Sequence, residues 1–284
     1  MRRLRISAIS YLNTAPLMWD FEHSGVGSAF DISYTLPSLC AAALLNGSAD
    51  IGIIPAAAYA TIADLLILPG VAIASKQAVR SILLVSKVPA EQIQTVAVDS
   101  SSLTSVALLQ ILFTKWWGGR RPFTTTAPDV EWMLEQHDAG LVIGDPALKV
   151  NRSRYLTYDL AEEWIRLTGH PFVFAFWAVR QTALKDLSPQ LDLASIFQES
   201  RDHGVRAENL ERIAREWAPR MDLSQSAIKD YLTRNIHYYL DSACLDGLQL
   251  FYRYADECDI LPAAPSLNFV NVAKTQIAQG FAGF

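Results

Sequence analysis

The sequence predicts a mixed α/β fold in two lobes, and three observations predict it. Strand and helix patterns alternate twice, over roughly residues 4–55 and again over roughly 96–145. Pro171–Val179 (PFVFAFWAV) is apolar throughout, and its length of about nine residues favours a buried strand over a helix. The last third turns to helical periodicity with no flexible linker before it. Strand-rich halves with a helical end imply a discontinuous first lobe, residues 1–86 plus 178–284, and a second lobe, residues 87–177. The chain is then expected to cross out near Ser86 and back near Phe174 to Val179, with the C-terminal helices packed on the first lobe.

In Leu4–Ile9, Leu4, Ile6 and Ala8 alternate with Arg5 and Ser7, the pattern of a half-buried strand. Asn13 stands where that strand ends and Pro16 is placed to start a helix. Asp31–Leu36 alternates as a second strand. Pro37–Asn46 is a short helix with proline near its start and Gly47 just past its end. Asp50–Pro55 is a buried strand that stops at a proline. Strand, helix and strand in that rhythm imply a right-handed parallel crossover. Ser81–Ser86 is a further apolar strand with serines at both ends.

The second unit runs through a strand at Val96–Val98, a polar turn at Asp99–Ser102, a helix at Leu103–Phe113 and a strand at Leu141–Asp145. Asp159–Leu167 is a short helix on which Glu162 and Glu163 read as a solvated face. Of the final helices, one opens at Ser188-Pro189, as N-cap and first residue, and closes at Gly204. Leu210, Ile213, Ala214 and Trp217 mark the next. Ile228, Leu232, Ile236 and Tyr239 mark a third, with Ser224 as its cap, and Cys244–Cys258 is the fourth.

A length of 284 residues with 51% apolar and 19% charged composition supplies a large core for one long or two medium domains. A formal net charge of −5 argues against a general nucleic-acid binder, which needs a basic face. No uncharged apolar run reaches the roughly 18 residues of a membrane span. The basic start, Met1 to Arg5, lacks the apolar core and cleavage site of a signal peptide, so a cytoplasmic location is expected. Cys40, Cys244 and Cys258 have neither metal-type spacing nor even number, and the last two fall on an apolar helix stripe with Leu248, Phe251 and Ala255. The five histidines form no recognisable ligand set, and no metal is expected.

Candidate site residues gather at strand ends, where ligands of parallel α/β sheets bind. Asn13 in Tyr11-Leu12-Asn13 is one, against the ordinary reading of a turn residue. Ser102-Leu103-Thr104-Ser105 lies at a predicted helix start. There orphan backbone donors and the macrodipole favour an anion, and Ser102 can cap. Ser81 and Ser86 are further polar points, and Arg80 beside Ser81 suits an anionic ligand. Gly144 reads as a small-residue gap beneath a ligand, and Asp145 as either a carboxylate beside it or a cap for the segment that follows. No P-loop, GxGxxG or Ser-His-Asp order is present. The set is polar and almost uncharged, with no evident strong base, so its chemistry should be already poised.

Several segments occur in a recognisable order: Ile9-Ser10-Tyr11-Leu12-Asn13 with Pro16-Leu17, Asp50-Ile51-Gly52 with Pro55, Ser81 and Ser86-Lys87-Val88-Pro89, Ser100 to Ser105, Ile143-Gly144-Asp145, and Leu160 to Trp164 with Pro171 to Ala175. On these the chain resembles the chorismate dehydratase family of the futalosine route to menaquinone, over about residues 4–255. The resemblance implies a two-lobed type II periplasmic-binding-protein-like fold with its ligand cleft between the lobes, here in a cytoplasmic enzyme. It implies a hydro-lyase that converts chorismate to 3-[(1-carboxyvinyl)oxy]benzoate and water without a cofactor. The family's site residues fall on Asn13 and Ser81 as catalytic groups and on Ser102, Leu103, Thr104 and Ser105 as a substrate-binding helix start. Tyr11, Pro55, Gly144 and Asp145 complete the substrate-binding set. The sister enzyme, 1,4-dihydroxy-6-naphthoate synthase, resembles this pattern but has a histidine where Gly144 stands and a Cys-Pro-Asn type of opening motif. A solute-binding protein would share the fold, and the missing leader and lipid-attachment cysteine argue against it. The ligand-binding half of a transcription regulator would need a DNA-reading domain ahead of the first strand.

Overall fold

The structure, a computed structural model, describes residues 2–99, 102–185 and 191–271. In chain order its strands are β1 (Leu4–Ile9), β2 (Phe30–Thr35), β3 (Ile51–Pro55), β4 (Leu65–Ser75), β5 (Ile82–Ser86), β6 (Val96–Asp99), β7 (Phe123–Thr126), β8 (Ala139–Ile143), β9 (Leu156–Asp159) and β10 (Phe172–Arg180). They form two five-stranded sheets, ordered β2-β1-β3-β10-β4 and β7-β6-β8-β5-β9. The two sheets follow one plan. β1 is parallel to both β2 and β3, and β6 to both β7 and β8. The strand that has just arrived from the other sheet then inserts antiparallel: β10 beside β3 and β4, β5 beside β8 and β9.

Sheet membership moves the expected lobe boundaries. The Ser81–Ser86 strand, assigned from sequence to the first lobe, pairs in the second sheet, and all of β10 lies in the first. The sheets therefore change over at 76–81 and 160–171 rather than at 86 and 178. Which sheet accepts a strand is decided by partners far along the chain, which local periodicity does not report.

β10 is buried from Phe172 to Val179 because it has a neighbour on each edge and packing on each face, as a continuous apolar run requires. β4 is a strand that the sequence pattern conceals. Pro69-Gly70 breaks its run, yet β4 is an edge strand and its register against β10 shifts twice, which accommodates a proline and a glycine at φ +79°.

The C-terminal helices cover the first sheet. The Leu193–Gly204 helix packs on β4 and on the turn after β1, where Ser200 Oγ donates to the Leu17 carbonyl at 2.8 Å. Asp192 caps this helix through the Ser195 N–H, while the expected start at Ser188-Pro189 lies outside the described residues. Gly204 ends it beside the Pro16 backbone, where a Cβ would lie 1.8 Å from the Pro16 oxygen. The third predicted helix is short. Ser224 caps Gln225–Asp230 as expected, a π-helical turn follows at Tyr231–Asn235, and Ile236 and Tyr239 lie beyond it. Helix is not available there because His237 exchanges backbone hydrogen bonds with Ala74 of β4. The Ser242–Glu257 helix packs on β10, with Cys244, Leu248, Phe251 and Ala255 buried in one stripe that ends at Cys258. Among the described residues, no helix is long and apolar enough to cross a membrane.

The basic lead-in has a structural use at the amino ends of β1 and β3. The buried Asp50 carboxylate accepts from the Arg2 guanidinium, from the Arg5 guanidinium and from the Arg5 N–H. Burial alone would raise this carboxyl, but these donors outweigh it and hold it well below the usual carboxylate range.

Candidate functional site

At the opposite, carboxyl ends of β1, β3 and β8 lies a cleft between the sheets, with about 460 Å³ of atom-free space that is partly open to solvent. The first sheet supplies Ile9 and Pro55 from strand ends, with Tyr11 and Asn13 from the turn that follows β1. The second supplies Ser81 and Ile82, whose antiparallel strand starts where its neighbours end, together with Ile143 and Gly144. Ser102, Thr104 and Ser105 enter from the start of the Leu103–Lys115 helix. Apolar walls with a few convergent polar groups are the usual construction of a small-molecule site.

After β1 the chain turns through a 3₁₀ segment, Leu12–Met18, with Pro16 inside it, and reaches α-helix only at Trp19–His23. Tyr11 stays extended and its carbonyl accepts from Thr14 N at 3.0 Å, which places Asn13 on the crest of the turn. Asn13 Oδ1 is buried and has no hydrogen-bond partner among the described residues. Of the residues with such an atom, Asn13 is the one that lines the cavity.

Ser81 is 1% exposed, and its Oγ accepts from the Tyr231 hydroxyl at 2.9 Å. Its carbonyl accepts from Gly144 N at 2.7 Å, tying the start of β5 to the end of β8. The preceding residue, Arg80, has φ +63°, a strained conformation for a side chain of this kind. Asp159 enforces it. The carboxylate is 4% exposed and accepts from Val79 N at 3.0 Å and Arg80 N at 2.6 Å, while also capping the Leu160–Thr168 helix. Burial pushes the Asp159 carboxyl up against these donors. The Arg80 side chain is exposed and does not line the cavity, so it is not the cationic partner that its position beside Ser81 suggested.

The Leu103–Lys115 helix begins at the cavity with Ser102 at the N-cap position, but the Ser102 side chain makes no capping hydrogen bond. Thr104 Oγ1 accepts from Ala57 N at 3.0 Å, a direct link from this helix to the residues that follow β3. Ser100 and Ser101 lie outside the described residues. Gly144 has φ +63°, and a Cβ there would lie 2.7 Å from the Tyr11 ring. The gap expected beneath a ligand is thus filled by Tyr11, in a second direct contact between the sheets.

Residues 4–257 match the family described as menaquinone biosynthesis. The chain belongs to this family. It is 27% identical over 269 residues to a chorismate dehydratase of Thermus thermophilus, covering 88% of this chain and 94% of that protein. Its fold is that of binding proteins. The alkanesulfonate-binding protein SsuA of Xanthomonas axonopodis pv. citri superposes with a TM-score of 0.68 at 16% identity, covering 93% of this chain and 96% of that one. The Candida albicans CA3427 product, which has the generic periplasmic-binding-protein fold, gives 0.64 at 11% identity, covering 97% and 99%.

In this menaquinone-biosynthesis protein the cavity gathers eight of the ten residues that the family resemblance implied and leaves out Leu103 and Asp145, and Ser86 also lies outside it. Leu103 is 43% exposed, because the first helical residue can offer the cavity its N–H while its side chain points outward. Asp145 turns its carboxylate to the Leu12 N–H at 3.1 Å, so it braces the turn after β1 from the second sheet. Burial pushes its carboxyl up to about 6, with the Leu12 N–H and Lys149 pulling the other way. No charged side chain lines the cavity among the described residues.

Other expectations also changed. Glu163, read as solvent-facing, is 5% exposed and paired with Arg166 at 3.1 Å. His237, Asp241 and Cys244 gather with ligand atoms within 4.8 Å of one another, a grouping that spacing did not single out. There Asp241 is already paired with Lys76 at 2.7 Å. Phe174 of β10, from the apolar run read as a buried strand, also lines the cavity. Tyr231 was passed over although it stands three residues after Ile228, on the same helical face; that spacing was the available signal.

Proposed function

We propose that this chain is a chorismate dehydratase, a hydro-lyase that converts chorismate to 3-[(1-carboxyvinyl)oxy]benzoate and water. One observation carries the reading. The Asn13 amide, the Ser81 hydroxyl and the Ser102–Ser105 helix start meet in a single cavity with apolar walls and, among the described residues, no charged side chain. Family membership and the Thermus thermophilus relative support it.

Chorismate carries two carboxylates on a carbocyclic ring. The orphan N–H groups and hydroxyls at the helix start suit one carboxylate. Ile73, Ile82, Ile143 and Phe174 suit the ring. Dehydration breaks the C–H bond at ring carbon 3 and the C–O bond at carbon 4, and the electron pair of the first completes an aromatic ring. Because the product is aromatic, a strong base is unnecessary, and orientation with preorganised donors supplies most of the acceleration. In this proposal Asn13 and Ser81 hydrogen-bond the departing hydroxyl or the enolpyruvyl group, and the enolpyruvyl carboxylate of the substrate accepts the carbon-3 proton. The enolpyruvyl carboxyl group then passes that proton to the departing hydroxide, which leaves as water and restores the carboxylate, so atoms and charge balance.

The test is to mix purified protein with chorismate, without added cofactor, and follow the products by mass spectrometry. Loss of one water, giving an aromatic product absent from the enzyme-free control, is the expected result. Unchanged chorismate with saturable binding would make this chain a binding protein. Neither reaction nor binding would remove chorismate as the ligand.

A further inference from the structure

We infer that Tyr231 is a positioning residue that aims the Ser81 hydroxyl at the substrate. Tyr231 is 2% exposed, begins the π-helical turn Tyr231–Asn235 and does not line the cavity. Its hydroxyl donates to Ser81 Oγ at 2.9 Å. A serine hydroxyl has one proton and two lone pairs. With a lone pair held by the phenol, the Ser81 proton must point elsewhere, and no acceptor for it occurs among the described residues. The cavity lies on its open side.

The phenol thereby fixes the Ser81 proton as a donor turned to the ligand. Burial, the largest influence on Tyr231, holds the phenol protonated against the opposing pull of Ser81. A protonated phenol is what the hydrogen bond donated to Ser81 requires. The neighbouring π turn has the irregularity often found where a helix serves a site.

The inference rests on the chorismate reading, and its test separates the two. Kinetics are compared for wild type, Tyr231→Phe, Ser81→Ala and the double variant. Tyr231→Phe is expected to lose roughly 10- to 100-fold in kcat with KM within about threefold of wild type. Adding it to Ser81→Ala should cost almost nothing more, since both changes disable one unit. Unchanged kcat, or losses that multiply in the double variant, would overturn the inference. Should Tyr231→Phe fail to fold, 3-fluorotyrosine at position 231 keeps the shape and strengthens the donor. It is expected to change kcat by about twofold or more at constant KM, and an unchanged kcat counts against the inference. Wild type that leaves chorismate intact overturns the chorismate reading alone. The network is then judged without substrate, from the ¹⁹F resonance of that fluorotyrosine. It must move in Ser81→Ala, and a resonance indifferent to that change overturns the inference.

Discussion

At the amino ends of β1 and β3 the Asp50 carboxylate is surrounded by donors from Arg2 and Arg5. At the carboxyl ends of the same two strands, Asn13 Oδ1 has none. The two groups are anchored to one sheet and are both polar and buried, yet one is saturated and the other left open. Saturation is what a fold needs from a buried charge, and an open acceptor is costly unless something outside the protein satisfies it. On the proposed reading, the contrast puts stability at one end of the sheet and recognition at the other.

That separation can be broken by experiment. Asn13→Ala should lower kcat by roughly 100- to 1,000-fold, with a much smaller change in KM and a melting temperature close to wild type. A loss confined to KM would assign Asn13 to uniform binding. Asp50→Asn should do the opposite. It should cost about 2–4 kcal/mol in denaturant unfolding while the folded protein keeps its kcat, because it strips the charge from a buried, arginine-paired site. The pH dependence follows the same contrast. The Asp50 carboxyl is held below its ordinary 3.8, so the stability it contributes is present above about pH 4 and is lost as the pH falls further. Asp50→Asn should lack that acid limb, and an unchanged acid limb would show that Asp50 is not its source.

Gly144→Ala should follow, at about 1–3 kcal/mol of stability, since it adds a Cβ at φ +63° against the Tyr11 ring. A rise in KM should accompany it as Tyr11 is displaced from the cavity wall. A variant as stable as wild type would show that the ring gives way freely.

Asp145→Asn is the smallest effect and has the reverse sign. The Asp145 carboxyl is raised from 3.8 to about 6, so its contribution is fully present below about pH 4 and is lost as the pH rises through 6. An amide at that position still accepts from Leu12 N–H without carrying a charge. The variant should therefore be about 1–2 kcal/mol more stable than wild type above pH 7, with the difference closing below pH 4. Equal stability at pH 8 would show that the wild-type carboxylate is solvated there.

The carboxyl ends of β1, β3 and β8 were legible in sequence because each is an apolar run stopped by small, polar or proline residues. Asn13, Ser81 and the Ser102–Ser105 start therefore stood out individually. Their relation did not. Tyr231 meets Ser81 across 150 residues, and Tyr11 meets Gly144 between sheets that periodicity cannot distinguish. β4 was hidden because Pro69-Gly70 reads as a turn unless the strand is known to lie at an edge. Leu103 does not line the cavity, because a motif names whole residues whereas a helix start can offer a ligand only the backbone N–H of its first residue.

The Asp159 carboxylate fastens Val79 and Arg80, on the outgoing passage between sheets, to the beginning of the return passage at Leu160. Both strands of the connection are thus clasped at one point. Any rotation of one sheet against the other has its shortest lever arm beside that clasp, and Ser81 is the next residue along. A ligand entering the opened cleft would find Ser81 nearly where it will be after closure. The Ser102–Ser105 helix start, linked across the cleft through Thr104, would sweep in to meet it. Opening and closing about that clasp would therefore displace the helix start more than Ser81.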